Sequence, residues 1–298
     1  LDKLGLKENR VHGSVMFPLG TYTMICQRGD KILDCHWHDE WEFLMVTAGQ
    51  ALFQIETSYY EVHAGQAIFV DGSSIHAGYS HNNSPCIYRA VVFDPVILSS
   101  NSCDNLQIKF IDPFIKRHYV LPNFIAGRSD WERRIIHHLS SILNVCATIP
   151  LGYELTVKAR LLLILSEFVK NNHGMQADDS LVNNYKSEQM KKVLNYIHTN
   201  YSRKIVIKSL CEQISMSEGH FCRLFKKMMR QTPIEYINAY RINTAAQLLK
   251  ETNHNVLEIS MSVGFDNLSY FDSLFKKRMR CTPLEYRNTK QVLRQKLN

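Results

Sequence analysis

The chain has 298 residues, 45% of them apolar, enough for two or three domains with cores of their own, so disorder is excluded as the default. No stretch reaches the roughly 18 consecutive apolar residues that a membrane-crossing helix needs, the first ten residues carry charge and no long apolar run, and the eight scattered cysteines form no CxxC pair. These features argue against a membrane partner, a small disulfide framework and a structural zinc knot, and a soluble, cytoplasmic protein is expected.

The net charge of +7 is unevenly placed. From Lys186 onward there are 20 Lys and Arg against 9 Asp and Glu, a net +11, which leaves −4 for the remainder. A local basic surface of this kind suits a polyanion.

Residues 15 to 95 read as short strands. EFLMVTAG, ALFQIETSYYEVHAG and QAIFVDGSS are β-branched and apolar runs punctuated by glycine at 49, 65 and 72, a spacing that favours a sandwich or barrel. In CHWHDEWEF, strand alternation puts His36 and His38 on one face with Glu42 at the same parity, and His76 follows the turn DGSS. Three imidazoles and a carboxylate suit a divalent Zn, Fe, Ni or Mn ion. The same residues, with Tyr22 and Tyr79 nearby, also suit a small-molecule effector pocket, for a sugar or a similar polar metabolite, or a hydrogen-bonded polar core. Parity turns Trp37 and Trp41 to the opposite face.

Near residue 130 the apolar period becomes helical. DWERRIIHHLSSILNVC and YELTVKARLLLILSEFVKNN predict two helices in a packing or dimerisation segment, 131–172. The second, rich in Leu155, Leu162, Leu163, Leu165 and Phe168, is expected to pack on the strands or on a second subunit. The polar stretch 173–186 reads as a linker between a sensor domain, 1–130 with its helices, and a C-terminal domain, 187–298.

Everything after Ser187 reads as helix, and it repeats. FCRLFKKMMRQTPIEY, 221–236, aligns with FDSLFKKRMRCTPLEY, 271–286, at a constant offset of 50, and most positions are identical. Each copy is a short helix, a tight turn and a second helix whose inner face carries Phe221, Leu224 and Phe225, or Phe271, Leu274 and Phe275. The basic residues Lys226, Lys227 and Arg230, and Lys276, Lys277, Arg278 and Arg280, gather at the C-terminal end of that helix, where they suit both its dipole and DNA phosphates. The second helix of each unit is expected to enter a major groove of double-stranded DNA, with the long helix 233–249 setting the spacing of the two units.

VLEISMSVGFDNLSYFDSLFKKRMRCTPLEYR resembles the C-terminal signature of the AraC/XylS family of transcription regulators, and residues 15 to 95 resemble the cupin-type sensor often attached to it. The resemblance implies an N-terminal cupin-like β-barrel with following helices, joined to an all-α C-terminal domain of two helix-turn-helix units linked by a long helix. It places base-reading positions on Ser217, Gly219, His220, Cys222 and Arg223 in the first unit, and on Leu268, Ser269, Asp272 and Ser273 in the second. It further implies a ligand-responsive homodimer, an activator of metabolic and carbohydrate genes that contacts RNA polymerase. Arg230 and Arg280 stand where the family usually has glycine, and Ser273 where it usually has arginine. The alternative is a metal-dependent cupin enzyme, an isomerase or dioxygenase working through His36, His38, Glu42 and His76, which leaves the duplicated basic unit unexplained.

Overall fold

The computed structural model describes residues 6–8, 10–100, 104–116, 121–171 and 178–288, with side chains from 186 onward in the last segment. It divides into two compact units, Leu6–Ser187 and Glu188 onward. Among the described residues no helix is long and apolar enough to cross a membrane.

The first unit contains strands β1 (Leu19–Cys26), β2 (Leu33–His36), β3 (Trp41–Ile55), β4 (Ser58–His63), β5 (Ala67–Val70), β6 (His76–Ser80), β7 (Cys86–Phe93) and β8 (Phe124–Ile125). A short helix α1 (Asp112–Ile115) precedes β8, and helices α2 (Asp130–Thr148) and α3 (Tyr153–Lys170) follow it. Strand β3 organises the sheet, because its first half lies between β5 and β7 and its second half between β4 and β6. The change of neighbours coincides with a register shift between Val46 and Ala48. Gly49 follows at φ +73°, where a Cβ would lie 2.0 Å from the Pro85 carbonyl oxygen.

The first six residues of β3 are all buried because both faces are covered. Trp41, Phe43 and Met45 join Phe69, Val91 and Phe93 beneath Ile135, Leu139, Ile142, Leu161, Ile164 and Phe168 of α2 and α3. Leu44 and Val46 join Ile68, Val70, Tyr88, Ala90 and Val92 on the other face. Glu42, between Trp41 and Phe43, is thereby committed to the face opposite the helices.

A closed cupin-like barrel, expected from the strand-rich sequence, is not what forms. Among the described residues the main path runs β1-β7-β3-β5-β8, with β4 and β6 branching from β3 and β2 pairing with β6, and β1, β2, β4 and β8 each pair along one edge only. Closure requires hydrogen bonds on both sides of every strand. The architecture is an open, bent mixed sheet and helix domain.

Helix α2 starts at a capping box in which Ser129 donates its backbone N–H and its hydroxyl to Glu132 Oε2 at 2.8 and 2.9 Å. The sequence-predicted linker, 173–186, coincides only in part with the described chain: 172–177 lie outside it, and helix α4 (Asp178–Asn200) already begins at Asp178.

The second unit continues with α5 (Ile207–Gln213), α6 (Glu218–Met229), α7 (Pro233–Glu251), α8 (Val256–Ser262) and α9 (Leu268–Met279), and residues 283–288 are helical. Pro233 occupies the first turn of α7, where its missing N–H costs nothing, and Thr232 and Glu235 close a capping box. Ile242, Ala245, Ala246 and Leu249 of α7 pack with Ile259, Val263, Phe265, Phe271 and Phe275 into one core.

Candidate functional site

Two sites stand out, one in each unit. In the second unit, α5 and α6 form one helix pair and α8 and α9 another. Helix α6 buries Phe221, Leu224, Phe225, Met228 and Met229. Its period then leaves Gly219, His220, Arg223, Lys226 and Lys227 exposed, with Cys222 half-buried and Ser217 exposed at the N-cap. No neighbour lies within 4 Å of where a Gly219 Cβ would stand, so this glycine has no packing reason and leaves the helix surface bare.

Helix α9 repeats the scheme at an offset of 50. Phe271 and Phe275 are inside, and Leu268, Ser269, Asp272, Ser273, Lys276 and Lys277 are outside. Asn267 caps it by accepting from the Tyr270 N–H at 2.8 Å. Gly264, in the preceding turn, has φ +93°, and a Cβ there would meet the Tyr201 carbonyl oxygen at 2.7 Å. All nine expected base-reading positions thus lie on or beside the two outward helix faces.

The arginines that replace the expected glycines keep the glycine backbone. Arg230 and Arg280 sit at φ +55° and +63°, ending α6 and α9 in the left-handed conformation. Arg278 donates its Nε–H to Asn243 Oδ1 of α7 at 2.8 Å, and burial lowers its pKa.

In the first unit, one ligand atom each from His36, His38, Glu42 and His76 lie within 4.8 Å of one another. The topology explains the meeting: His36 on β2 is paired with His76 on β6, β6 is paired with the second half of β3, and Glu42 lies on the first half. Each imidazole is oriented through Nδ1 by a backbone carbonyl, that of Asp34 at 2.7 Å, Glu40 at 3.1 Å and Ser74 at 2.8 Å. A carbonyl can only accept, so each Nδ1 carries a hydrogen, and in the neutral ring Nε2 then presents a lone pair, the orientation that metal-binding histidines need. The Nε2 atoms of His76 and His38 lie 3.1 and 3.4 Å from Glu42 Oε2.

Burial, with the neighbouring His36, pushes His76 down to about 4, so its imidazole is neutral at neutral pH. These four residues could chelate a divalent metal ion.

Two members of this site carry no signal in the sequence. Glu8 Oε2 lies 3.3 Å from His36 Nε2, and the His12 ring is buried 5.8 Å from that of His38. Strand alternation relates residues within one strand, whereas the segment bearing Glu8 arrives through a parallel bridge between Lys7 and Trp37. Tyr22 joins the edge of the site by a 2.9 Å hydrogen bond with His12. Tyr79 does not follow His76 inward: it falls on the other face of β6 and donates to Gln54 Oε1 at 3.0 Å. Trp41 lies among the helices' contacts, away from the histidines.

Residues 24–124 match the family described as AraC-like ligand binding domain, and residues 210–289 match that described as Helix-turn-helix domain. The chain is 32% identical over 269 residues to the uncharacterized HTH-type transcriptional regulator YdeC of Bacillus subtilis, covering 90% of this chain and 91% of that one. It is 21% identical to the HTH-type transcriptional activator RhaS of Mannheimia succiniciproducens, covering 82% and 85% of the two chains. It is 22% identical to the lactose operon transcription activator of Staphylococcus xylosus, covering 45% of this chain and 56% of that one. These relatives are regulators or activators of transcription, and the match over residues 24–124 replaces the expected cupin-type sensor with an AraC-type ligand-binding domain.

Proposed function

Because the chain belongs to the AraC/XylS family of helix-turn-helix transcription regulators, a class of ligand-responsive DNA-binding proteins, we propose that α6 and α9 read two successive major grooves of one operator face. The observation that carries this reading is the duplication itself: two copies share one buried face and differ on the face turned to solvent. Helix α7, with 19 residues, is about 28 Å long at 1.5 Å per residue. That approaches the roughly 34 Å between successive grooves. Arg223 pairs with guanine O6 and N7, while Lys226, Lys227, Lys276, Lys277 and the two arginines at the helix ends hold phosphates.

The effector acts at the His36, His38, Glu42 and His76 cluster, beside Tyr22. Control of carbohydrate genes is the preferred physiological role, in keeping with the lactose operon activator among its relatives. The regulator activates as a homodimer and contacts RNA polymerase. Its dimer surface includes the apolar side chains that α3 and the loop before it leave exposed, Ile149, Leu151, Leu155 and Leu163, because the rest of the apolar face of α3 is taken up by the sheet.

Selection of genomic fragments with the full-length protein, followed by footprinting at a fixed salt concentration, tests the assignment. Two adjacent protected major grooves on one face are expected, and protection of a single groove would refute two-unit reading.

A further inference from the structure

Helix α7 fixes the distance between the two helix pairs, but a rod does not by itself fix how the second pair is turned about its end. The N-terminal half of α7 belongs to the first copy, where Tyr236 meets Phe225 edge-on at 5.6 Å. The C-terminal half, from Ile242 to Leu249, is built into the core of the second copy. Arg241 stands at the junction.

A third segment touches both halves. His198, near the end of α4, bonds the Tyr236 hydroxyl at 2.7 Å on the side of the first copy. Tyr201, just beyond α4, packs against the core of the second. Arg241 Nε donates to the Tyr201 carbonyl at 2.8 Å and its Nη2 to the Arg203 carbonyl at 2.7 Å, while its guanidinium carbon lies 5.6 Å from the centre of the Phe265 ring. A planar guanidinium serves two acceptors at once in fixed directions, which a lysine ammonium on its flexible stem does not.

The turns of the two copies differ where this segment arrives. Ser215, at φ +51°, lies in the turn between α5 and α6, and Gly264, at φ +93°, in the corresponding turn between α8 and α9. Ser215 is exposed. At Gly264 a Cβ would lie 2.7 Å from the Tyr201 carbonyl oxygen and 3.0 Å from both Arg241 Nη2 and the Ser202 carbonyl carbon. The left-handed turn itself thus accepts a side chain, and glycine at 264 answers to the close approach of residues 201–203 and Arg241.

We propose that Arg241, tying the Tyr201 and Arg203 carbonyls beside the Gly264 turn, is a positioning residue that sets the rotation of α9 relative to α6, and with it the spacing of the two half-sites that the protein accepts. It acts without touching DNA. This deepens the reading of α6 and α9 as two groove readers and rests on it.

The test uses the full-length protein and duplexes made from the footprinted operator. One carries the intact site, one has the second half randomised, and two have a base pair added or removed between the halves, which turns one half by about 35° relative to the other. The wild type is expected to gain affinity from the second half and to lose it on both altered spacings. Arg241→Met, with folding checked by circular dichroism, should bind the half site as the wild type does, lose about 10-fold on the intact site, and discriminate less between spacings. Arg241→Lys, which keeps the charge but not the fork, should fall between the two, and it carries the comparison if Arg241→Met does not fold. An unchanged spacing preference overturns the proposal, as does an equal loss on intact and half sites, which marks a stability defect alone. A wild type that gains nothing from the second half removes the two-groove reading and the positioning role with it, whereas one that needs both halves, matched by its variants, removes only the role of Arg241.

Discussion

The two helix-turn-helix units are copies whose insides have stayed alike and whose outsides have not. Phe221 and Phe225 contact each other at a 5.6 Å centroid separation, as do Phe271 and Phe275, and Phe225 meets Tyr236 edge-on just as Phe275 meets Tyr286, again at 5.6 Å. Threonine and glutamate at 232 and 235, and again at 282 and 285, repeat the same capping contacts. Outside, Cys222 and Arg223 of the first unit correspond to Asp272 and Ser273 of the second. Packing tolerates little change in volume, whereas a face turned to solvent is free to take on a second chemistry. The first unit thereby presents a guanidinium where the second presents a carboxylate and a hydroxyl, which favours base reading by α6 and phosphate holding with shape recognition by α9.

The largest test addresses the shared interior. Phe225 and Phe275 are both fully buried, and Phe225→Ala or Phe275→Ala should each cost about 3 to 5 kcal/mol in denaturant unfolding. Unequal costs would show that the two copies do not pack equivalently.

The next test uses a difference inside that interior. His198 stacks on Tyr240 at 4.4 Å and bonds the Tyr236 hydroxyl through Nε2 at 2.7 Å, and its counterpart in the second unit is Leu248. Burial pushes the His198 imidazole down to about 4. The unfolded chain, with an ordinary histidine pKa near 6.5, therefore takes up protons first as pH falls. Stability should be fully present above about pH 6.5 and decline towards pH 4, by up to roughly 3 kcal/mol. His198→Leu, which copies the second unit, should flatten this part of the stability profile of the helical domain. An unchanged acid slope would remove His198 as its cause.

A smaller effect is expected on the outer faces. Arg223→Ala should lose about 1 to 3 kcal/mol on the preferred operator and relax its specificity, while Lys226→Ala weakens specific and random DNA alike and lowers the salt slope by about 1. Equal losses for Arg223→Ala on both kinds of DNA would dissolve the proposed contrast between α6 and α9.

The smallest effect concerns the helix ends. At φ +63°, Arg280 holds a conformation that costs an L side chain about 1 kcal/mol relative to glycine. Arg280→Gly should raise stability by roughly that amount and reduce DNA affinity uniformly. A gain in stability with unchanged DNA binding would take Arg280 out of the phosphate set.

Legibility in the sequence followed the range of the interactions. Helical period and a 50-residue repeat are local or directly comparable, so α6 and α9, their inner phenylalanines and their outward residues could be read from spacing alone. Alternation within β3 separates Glu42 from Trp41, but His36 lies on β2 and His38 in the break before β3, so the parity expected along one continuous strand is not what brings the histidines to Glu42. Applied to β6, the same rule separates Tyr79 from His76, and the structure has it on the other face, where it donates to Gln54.

Edge pairing lies beyond that range. Nothing in a run of short strands states whether the last strand bonds the first, and here β1 and β8 remain ends of an open path instead of meeting in a barrel. The long-range pairing of Glu8 beside Trp37 is equally silent in the sequence, since a segment of one bridge has no hydrophobic period. The hydrogen bond from Arg278 Nε to Asn243 of α7 is likewise set by the packing of two helices and not by the basic run itself.

The sequence by itself determined the helix pairs, their duplication and the basic C-terminal surface, because each follows from local periodicity and composition. Tertiary structure alone decided that the sheet stays open, that four ligand atoms converge within 4.8 Å, and that Glu8 lies beside His36 and His12 beside His38. Those outcomes depend on which distant backbone edges pair, a choice made by the folded chain as a whole.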